Sequence, residues 1–153
     1  LSVTENLVLH TAGGIGSHLF HPDITTENRL QACEVMEFLG ISTLADVDMG
    51  ELSYGQKKLL DLGAVLMADP DLILLDEPAA GVNLRLLEDI INKLVTLKNQ
   101  GKTILLIEHN MDLVMGISDE VIVMSAGNII AQGKPSEIQN NTEVLEAYLG
   151  GKA

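Results

Sequence analysis

Tryptophan is absent, and two tyrosines and two phenylalanines are the only aromatic residues among 153. Stacking of bases on aromatic rings therefore has little material to work with, and the core must be aliphatic. Basic residues are scarce as well: nine Lys and Arg stand against 22 Asp and Glu, a formal net charge of −13. Nucleic-acid binding draws much of its affinity from Lys and Arg replacing counterions on phosphates, so no nucleic-acid partner is expected. An anionic membrane surface is disfavoured on the same ground. Cys33 is the one cysteine, so no internal disulfide forms, which fits a reducing compartment. No run reaches the roughly eighteen apolar residues of a membrane-spanning helix. The opening stretch "LSVTENLVLH" lacks the basic start and small-residue cleavage site of a signal peptide. A cytoplasmic protein is expected.

What is present is aliphatic. Hydrophobic residues make up 46% of the chain and the mean hydropathy is +0.25, enough for one globular unit with a real core. The chain starts at Leu1, inside what reads as a helix start of Thr4 and Glu5 before an apolar face, and is expected to be cut from something longer.

Residues 1–68 read as helical. "VTENLVLHTA" is followed by a break at Gly13, Gly14 and Gly16, then by "TTENRLQACEVMEFLG", with Leu30, Val35, Phe38 and Leu39 on one face and Gly40 as the stop. A helix from Ser53 gathers Leu59, Leu62, Leu66 and Met67 and ends before Pro70. From Leu72 the pattern changes. "LILL", "TILLI" and "VIVM" are short and uniformly apolar, as strands of a parallel sheet buried on both faces are. Between the first two, Leu84–Lys98 reads as a crossover helix with Leu87, Ile91, Leu94 and Val95 inward, an Asp89–Lys93 pair outward and Gly101 as its stop. Gly127-Asn128 predicts a tight turn into "IIAQ", and a last helix from Thr142 to Leu149 is closed by Gly150 and Gly151.

Three stretches carry chemistry. Ser53 to Gln56 has the spacing of a capping box, in which hydroxyl and amide satisfy each other's backbone N–H groups. Taken alone it is a well-capped helix. Gly55 adds something, since a glycine in the first turn costs about 1 kcal/mol against Ala and makes sense where backbone amides are closely approached. Exposed N–H groups and the positive end of the helix dipole make such a turn an anion site. "LILLDEPAAG" delivers Asp76 and Glu77 to the carboxyl end of a buried strand, where open α/β sheets bind ligands. Asp76 suits Mg2+ held through its water shell, and Glu77 suits orienting or deprotonating a water; the plainer alternative is a solvated acidic turn. His109, in "LLIEHN", follows the next strand, and a convergent site at one sheet edge is preferred over a structural histidine. His18 and His21 lack the partners of a metal site. "GGIGS" has no following Lys-Ser or Lys-Thr and is not a P-loop.

In that order and spacing, "LSYGQ", "LLDEP" and "IEH" resemble the signature motif, Walker B and switch histidine of ATP-binding-cassette (ABC) ATPases. The flanks "EPAAGVN" and "IEHNMDLVMGISDEVIVMSAGNIIAQGKPSEI" and the ending "EVLEAYLG" resemble, more narrowly, the ATPase subunits of branched-chain amino acid importers. The resemblance implies a P-loop NTPase-like α/β fold, seen here as a partial core with a parallel sheet (69–153) preceded by the ABC helical subdomain (1–68). It implies contact of Ser53, Tyr54, Gly55 and Gln56 with an ATP held by a second ATPase subunit. Asp76 would serve Mg2+, Glu77 would be the catalytic base, His109 the γ-phosphate sensor, and Ala79 to Asn83, with Ala80 and Gly81, the D-loop. Tyr54 stands where the family more often has Gly, and Asn83 where many relatives have Asp.

Members of the family begin with a strand leading into G-x-x-x-x-G-K-[S/T], whose amides and lysine supply most of the phosphate binding. Neither this nor the glutamine-bearing loop that meets the membrane permease is found in the sequence. The chain is expected to be an N-terminally truncated subunit, inactive by itself and binding ATP and Mg2+ weakly or not at all. The family's strand before the P-loop lies between "TILLI" and "VIVM", so unpaired edges and self-association are expected. Two other readings stand beside this one. A stand-alone interaction module would use the exposed edge. A DNA-repair or chromosome-organising ATPase head shares the motifs but is disfavoured by the charge and by the absence of a coiled-coil flank.

Overall fold

The computed structural model describes residues 1–11 and 25–149. The break at Gly13, Gly14 and Gly16, the pair His18 and His21, and the closing Gly150 and Gly151 lie outside the described residues. Two compact units divide the chain, Leu1–Leu106 and Ile107–Ala153.

The first unit begins with three helices, each started by a side chain that satisfies an otherwise orphaned amide. Helix α1 (Val3–Leu9) is capped by Ser2, whose Oγ accepts from the Glu5 N–H while the Glu5 carboxylate accepts from the Ser2 N–H. Helix α2 (Thr26–Leu39) is capped by Thr25 and stops at Gly40, which turns left-handed at φ 74° as the sequence predicts. Helix α3 (Tyr54–Met67) is capped by Ser53. Their buried faces are Val3, Leu7 and Val8; Ala32, Met36 and Leu39; and Leu59, Leu60, Leu62, Gly63 and Met67. Gly63 is closely packed by the other two helices: a methyl there would lie 2.9 Å from a Leu39 methyl and 3.0 Å from one of Leu7. Leu30, expected on the core face of α2, is instead 60% exposed, because Ala32, Met36 and Leu39 carry that contact.

Strand β1 (Leu72–Asp76), helix α4 (Leu84–Asn99) and strand β2 (Thr103–Ile107) follow, with β1 paired to β2 in a parallel sheet. Ile90, Leu94 and Leu97 of α4 are buried, as is Ile73 of β1. Lys93 does not pair with Asp89; its ammonium donates to the Phe38 carbonyl at 2.9 Å and sits 5.5 Å from the Phe38 ring centre. That cation–π contact and a fixed acceptor outcompete a solvated carboxylate one turn away. The strands also differ from the expectation of two covered faces. Leu72, Leu74, Leu105 and Ile107 are exposed while Ile73 is fully buried, so these apolar runs have one covered face.

The second unit contains helix α5 (Met111–Ile117), strands β3 (Val121–Ser125) and β4 (Asn128–Gly133), and helices α6 (Pro135–Ile138) and α7 (Thr142–Leu149). Val121, Val123, Ile138 and Val144 form its core. The hairpin is antiparallel, with Ser125 opposite Asn128 and a register shift after Val123 that leaves Ile130 as the extra residue. The turn lies one residue earlier than Gly127-Asn128: Ala126 and Gly127 occupy it, at φ 48° and 80°. Two successive left-handed residues give the twist that adjoining strands need, and Asn128 folds its amide back to the Ala126 carbonyl. Among the described residues no helix is long and apolar enough to cross a membrane.

Candidate functional site

The acid pair leaves β1 through a sharp turn. Asp76 is the last strand residue, and Glu77 takes a left-handed backbone at φ 45°, a conformation that costs a non-glycine residue about 1–2 kcal/mol. The Ala80 N–H then donates to the Glu77 carbonyl at 3.0 Å, Gly81 turns at φ 72°, and the Asn83 side chain caps α4 by accepting from the Leu86 N–H at 2.9 Å. Both acids are exposed. A strand end followed by a tight, hydrogen-bonded loop presents the two carboxylates at the surface.

The signature stretch faces this loop within the same unit. The capping box forms as the sequence predicts: the Gln56 N–H donates to Ser53 Oγ at 3.4 Å, and Gln56 Oε1 accepts from the Ser53 N–H at 2.8 Å. Tyr54, the first helical residue, sends its hydroxyl to the Ala80 carbonyl at 3.3 Å, and Lys58 lies 5.8 Å from its ring centre. Gly55 is closely approached, but by protein: a methyl there would lie 2.5 Å from a Leu86 methyl. Below the signature, Lys58, Asp61, Leu62 and Val65 of α3 line a cleft of about 210 Å³ with Leu75, Asp76, Pro78 and Ile90. That is smaller than the roughly 300–1,000 Å³ of sites that enclose a cofactor-sized ligand.

The first unit thus brings together Ser53 to Gln56, Asp76, Glu77 and the loop through Ala80, Gly81 and Asn83. His109 belongs to the second unit, where it is exposed just before α5. There the Glu108 carboxylate accepts from the His109 and Asn110 N–H groups, and Asn110 caps α5 through the Leu113 N–H. The supporting roles of Glu108, Lys58 and Leu86 went unread in the sequence. Asn83 and Asn110 carried the one usable signal, an Asn three residues before a helical amide.

Among the described residues no three His, Cys, Asp or Glu side chains gather into a metal-binding group. Asp76 is exposed at the end of β1, and a single such carboxylate is the kind of ligand that Mg2+ takes beside waters and phosphate oxygens.

The chain is similar to known proteins along nearly its whole length. A family model described as "ABC transporter" matches residues 1–80, and one described as "Branched-chain amino acid ATP-binding cassette transporter" matches residues 128–153. The probable branched-chain amino acid transport ATP-binding protein LivG of Archaeoglobus fulgidus is 37% identical over 99% of this chain and 61% of its own length. The high-affinity branched-chain amino acid transport ATP-binding protein LivG of Salmonella typhimurium is 40% identical over 98% of this chain and 62% of its own. The chain therefore spans about three-fifths of the length of these relatives. A crystal structure of the ADP conformation of an ATP-binding cassette of an ABC transporter superposes with a TM-score of 0.83, at 37% identity, over 98% of this chain and 63% of that one. With a capped signature helix, a strand-borne acid pair and these matches in the same order along the chain, the protein belongs to the ABC transporter family.

Proposed function

We propose that this chain supplies the signature motif and hydrolytic acid pair of an ATP-binding subunit that powers ABC-type import of branched-chain amino acids. The observation that carries the reading is the juxtaposition, in one unit, of the capped signature helix and the loop that follows Asp76 and Glu77. Residues 1–68 act as the helical subdomain and 69–153 as the second part of the ATPase core. Ser53, Gly55 and Gln56 meet the γ-phosphate of an ATP held by a second subunit, where the helix dipole and first-turn N–H groups favour negative charge. Asp76 would hold Mg2+, which would supply charge neutralisation at the phosphates. Glu77 takes the proton of the attacking water, and His109 hydrogen-bonds the γ-phosphate. Ala79 to Asn83 carry contacts across the subunit pair. A membrane permease at the inner face of the cell membrane completes the transporter.

The 153-residue chain by itself lacks a phosphate-binding loop in its sequence, so phosphate release from ATP stays at background. Turnover appears when the chain is joined to a phosphate-binding region that supplies such a loop beside Asp76 and Glu77. Glu77→Gln in that assembly cuts turnover by about 100-fold or more, the scale of losing a positioned base, while nucleotide still binds. Ordinary ATP turnover by the chain alone, or a Glu77→Gln assembly as fast as the parent, refutes the assignment.

A second reading has its own support in the exposed Leu72, Leu74, Leu105, Ile107, Ile122 and Met124. Exposed apolar side chains of this kind favour association, and on this reading the chain by itself forms a homo-oligomer. Monomeric scattering at high concentration would count against it.

A further inference from the structure

Tyr54 occupies the signature but is directed at the protein. Its hydroxyl donates to the Ala80 carbonyl at 3.3 Å, and its ring lies against Gly81, where a methyl would come within 3.0 Å of Tyr54 Cε1. Gly81 is held to glycine on two independent grounds, its φ of 72° and this ring. One residue on, Gly55 is closed over by Leu86 from the first turn of α4. The start of α3 therefore meets the acid-pair loop at Ala80 and Gly81 through the tyrosine, and the helix that follows the loop at Leu86 through the glycine. The same loop is bonded back to Glu77 through the Ala80 N–H.

We propose that Tyr54 is a positioning residue, a strut that transmits the placement of the signature helix to the Ala79–Asn83 loop and through it to Glu77 of the same chain. Any movement of α3 on meeting a nucleotide is passed to the backbone from which the hydrolytic acid projects. A glycine at position 54 has neither ring nor hydroxyl for this. The consequence for turnover rests on the proposed function; the contact itself is geometry within the first unit.

Amide hydrogen exchange of the chain tests the contact directly. Tyr54→Phe keeps the ring and loses the hydroxyl, so exchange at Ala80 to Val82 rises by about three- to tenfold, the scale of one hydrogen bond. Tyr54→Gly raises it further, while the middle of α2, in the same unit, keeps its protection and reports on the stability of that unit. Gly81→Ala should then lose less stability in the Tyr54→Gly background than in the parent, because the ring it collides with has gone and only the backbone strain is left. Identical exchange in all three proteins, or strictly additive effects in that cycle, overturns the proposal. In the assembled ATPase, Tyr54→Phe lowers kcat by about threefold or more, with affinity for trinitrophenyl-ATP unchanged within about twofold. A weakened affinity at unchanged kcat would assign Tyr54 to nucleotide contact and overturn the strut. A parent assembly that binds no nucleotide would instead count against the functional reading, and the exchange comparison still decides Tyr54.

Discussion

The helices and the strands of this chain handle their aliphatic residues differently. In α1 to α3 most of the large apolar side chains are consumed, Leu30 excepted: Val3 and Leu7 are fully buried, and Met36, Leu39 and Met67 nearly so. In the strands, Leu74 is 63% exposed and Leu105 53%. The helices close on one another because a one-sided apolar stripe needs only one partner. A uniformly apolar strand is written for two covered faces, and α4 can cover only one. The helical part is thus self-sufficient within the chain, and the sheets are not.

Core truncation should separate the two most sharply. Met36→Ala is expected to cost about 2–5 kcal/mol, read as a lower urea midpoint at unchanged slope. Overpacking comes next. Gly63→Ala should cost about 1–3 kcal/mol, because its methyl would meet Leu39 and Leu7 at the crossing of the helices; a neutral outcome would mean the helical packing is looser than described. Leu74→Ser with Leu105→Ser should stay within about 0.5 kcal/mol per site while lowering self-association in light scattering. A large destabilisation there would break the comparison, since it would place those side chains in a core.

The smallest effect is electrostatic. The Gly50 N–H at 2.8 Å holds the exposed Asp48 carboxyl below the usual aspartate range. A depressed folded-state value contributes stability above the unfolded value, and that contribution disappears as pH falls through the folded one. The urea midpoint should therefore decline slightly more between about pH 5 and pH 3 in the parent than in Asp48→Asn, the window below an ordinary aspartate pKa of about 4. Equal declines would remove this contact from the account.

Local grammar was legible where it depended on neighbours in sequence. Ser53 and Gln56 close a capping box because three residues of spacing suffice. Gly40 ends α2, and Asp76 ends β1 with Glu77 just beyond. Legibility faded wherever two patterns competed within a residue or a turn. The hairpin took Ala126-Gly127 rather than Gly127-Asn128 because strand register, not composition, chose the corner. Leu30 lost its core place to smaller Ala32, and Lys93 found a carbonyl and a ring 55 residues back in the chain. Of the candidate site, residue identities were readable, but the direction of Tyr54 and the approach of Leu86 to Gly55 were not, since neither leaves a local pattern.

The sequence by itself determined the caps, the strand-borne acids and the family to which the chain belongs, because each depends on residue types at short, fixed spacing. Only the tertiary structure decided that the signature tyrosine braces the acid-pair loop and that the aliphatic strands keep one face open. Both depend on which surfaces meet, and contact between segments distant in sequence is set by packing rather than by any spacing along the chain.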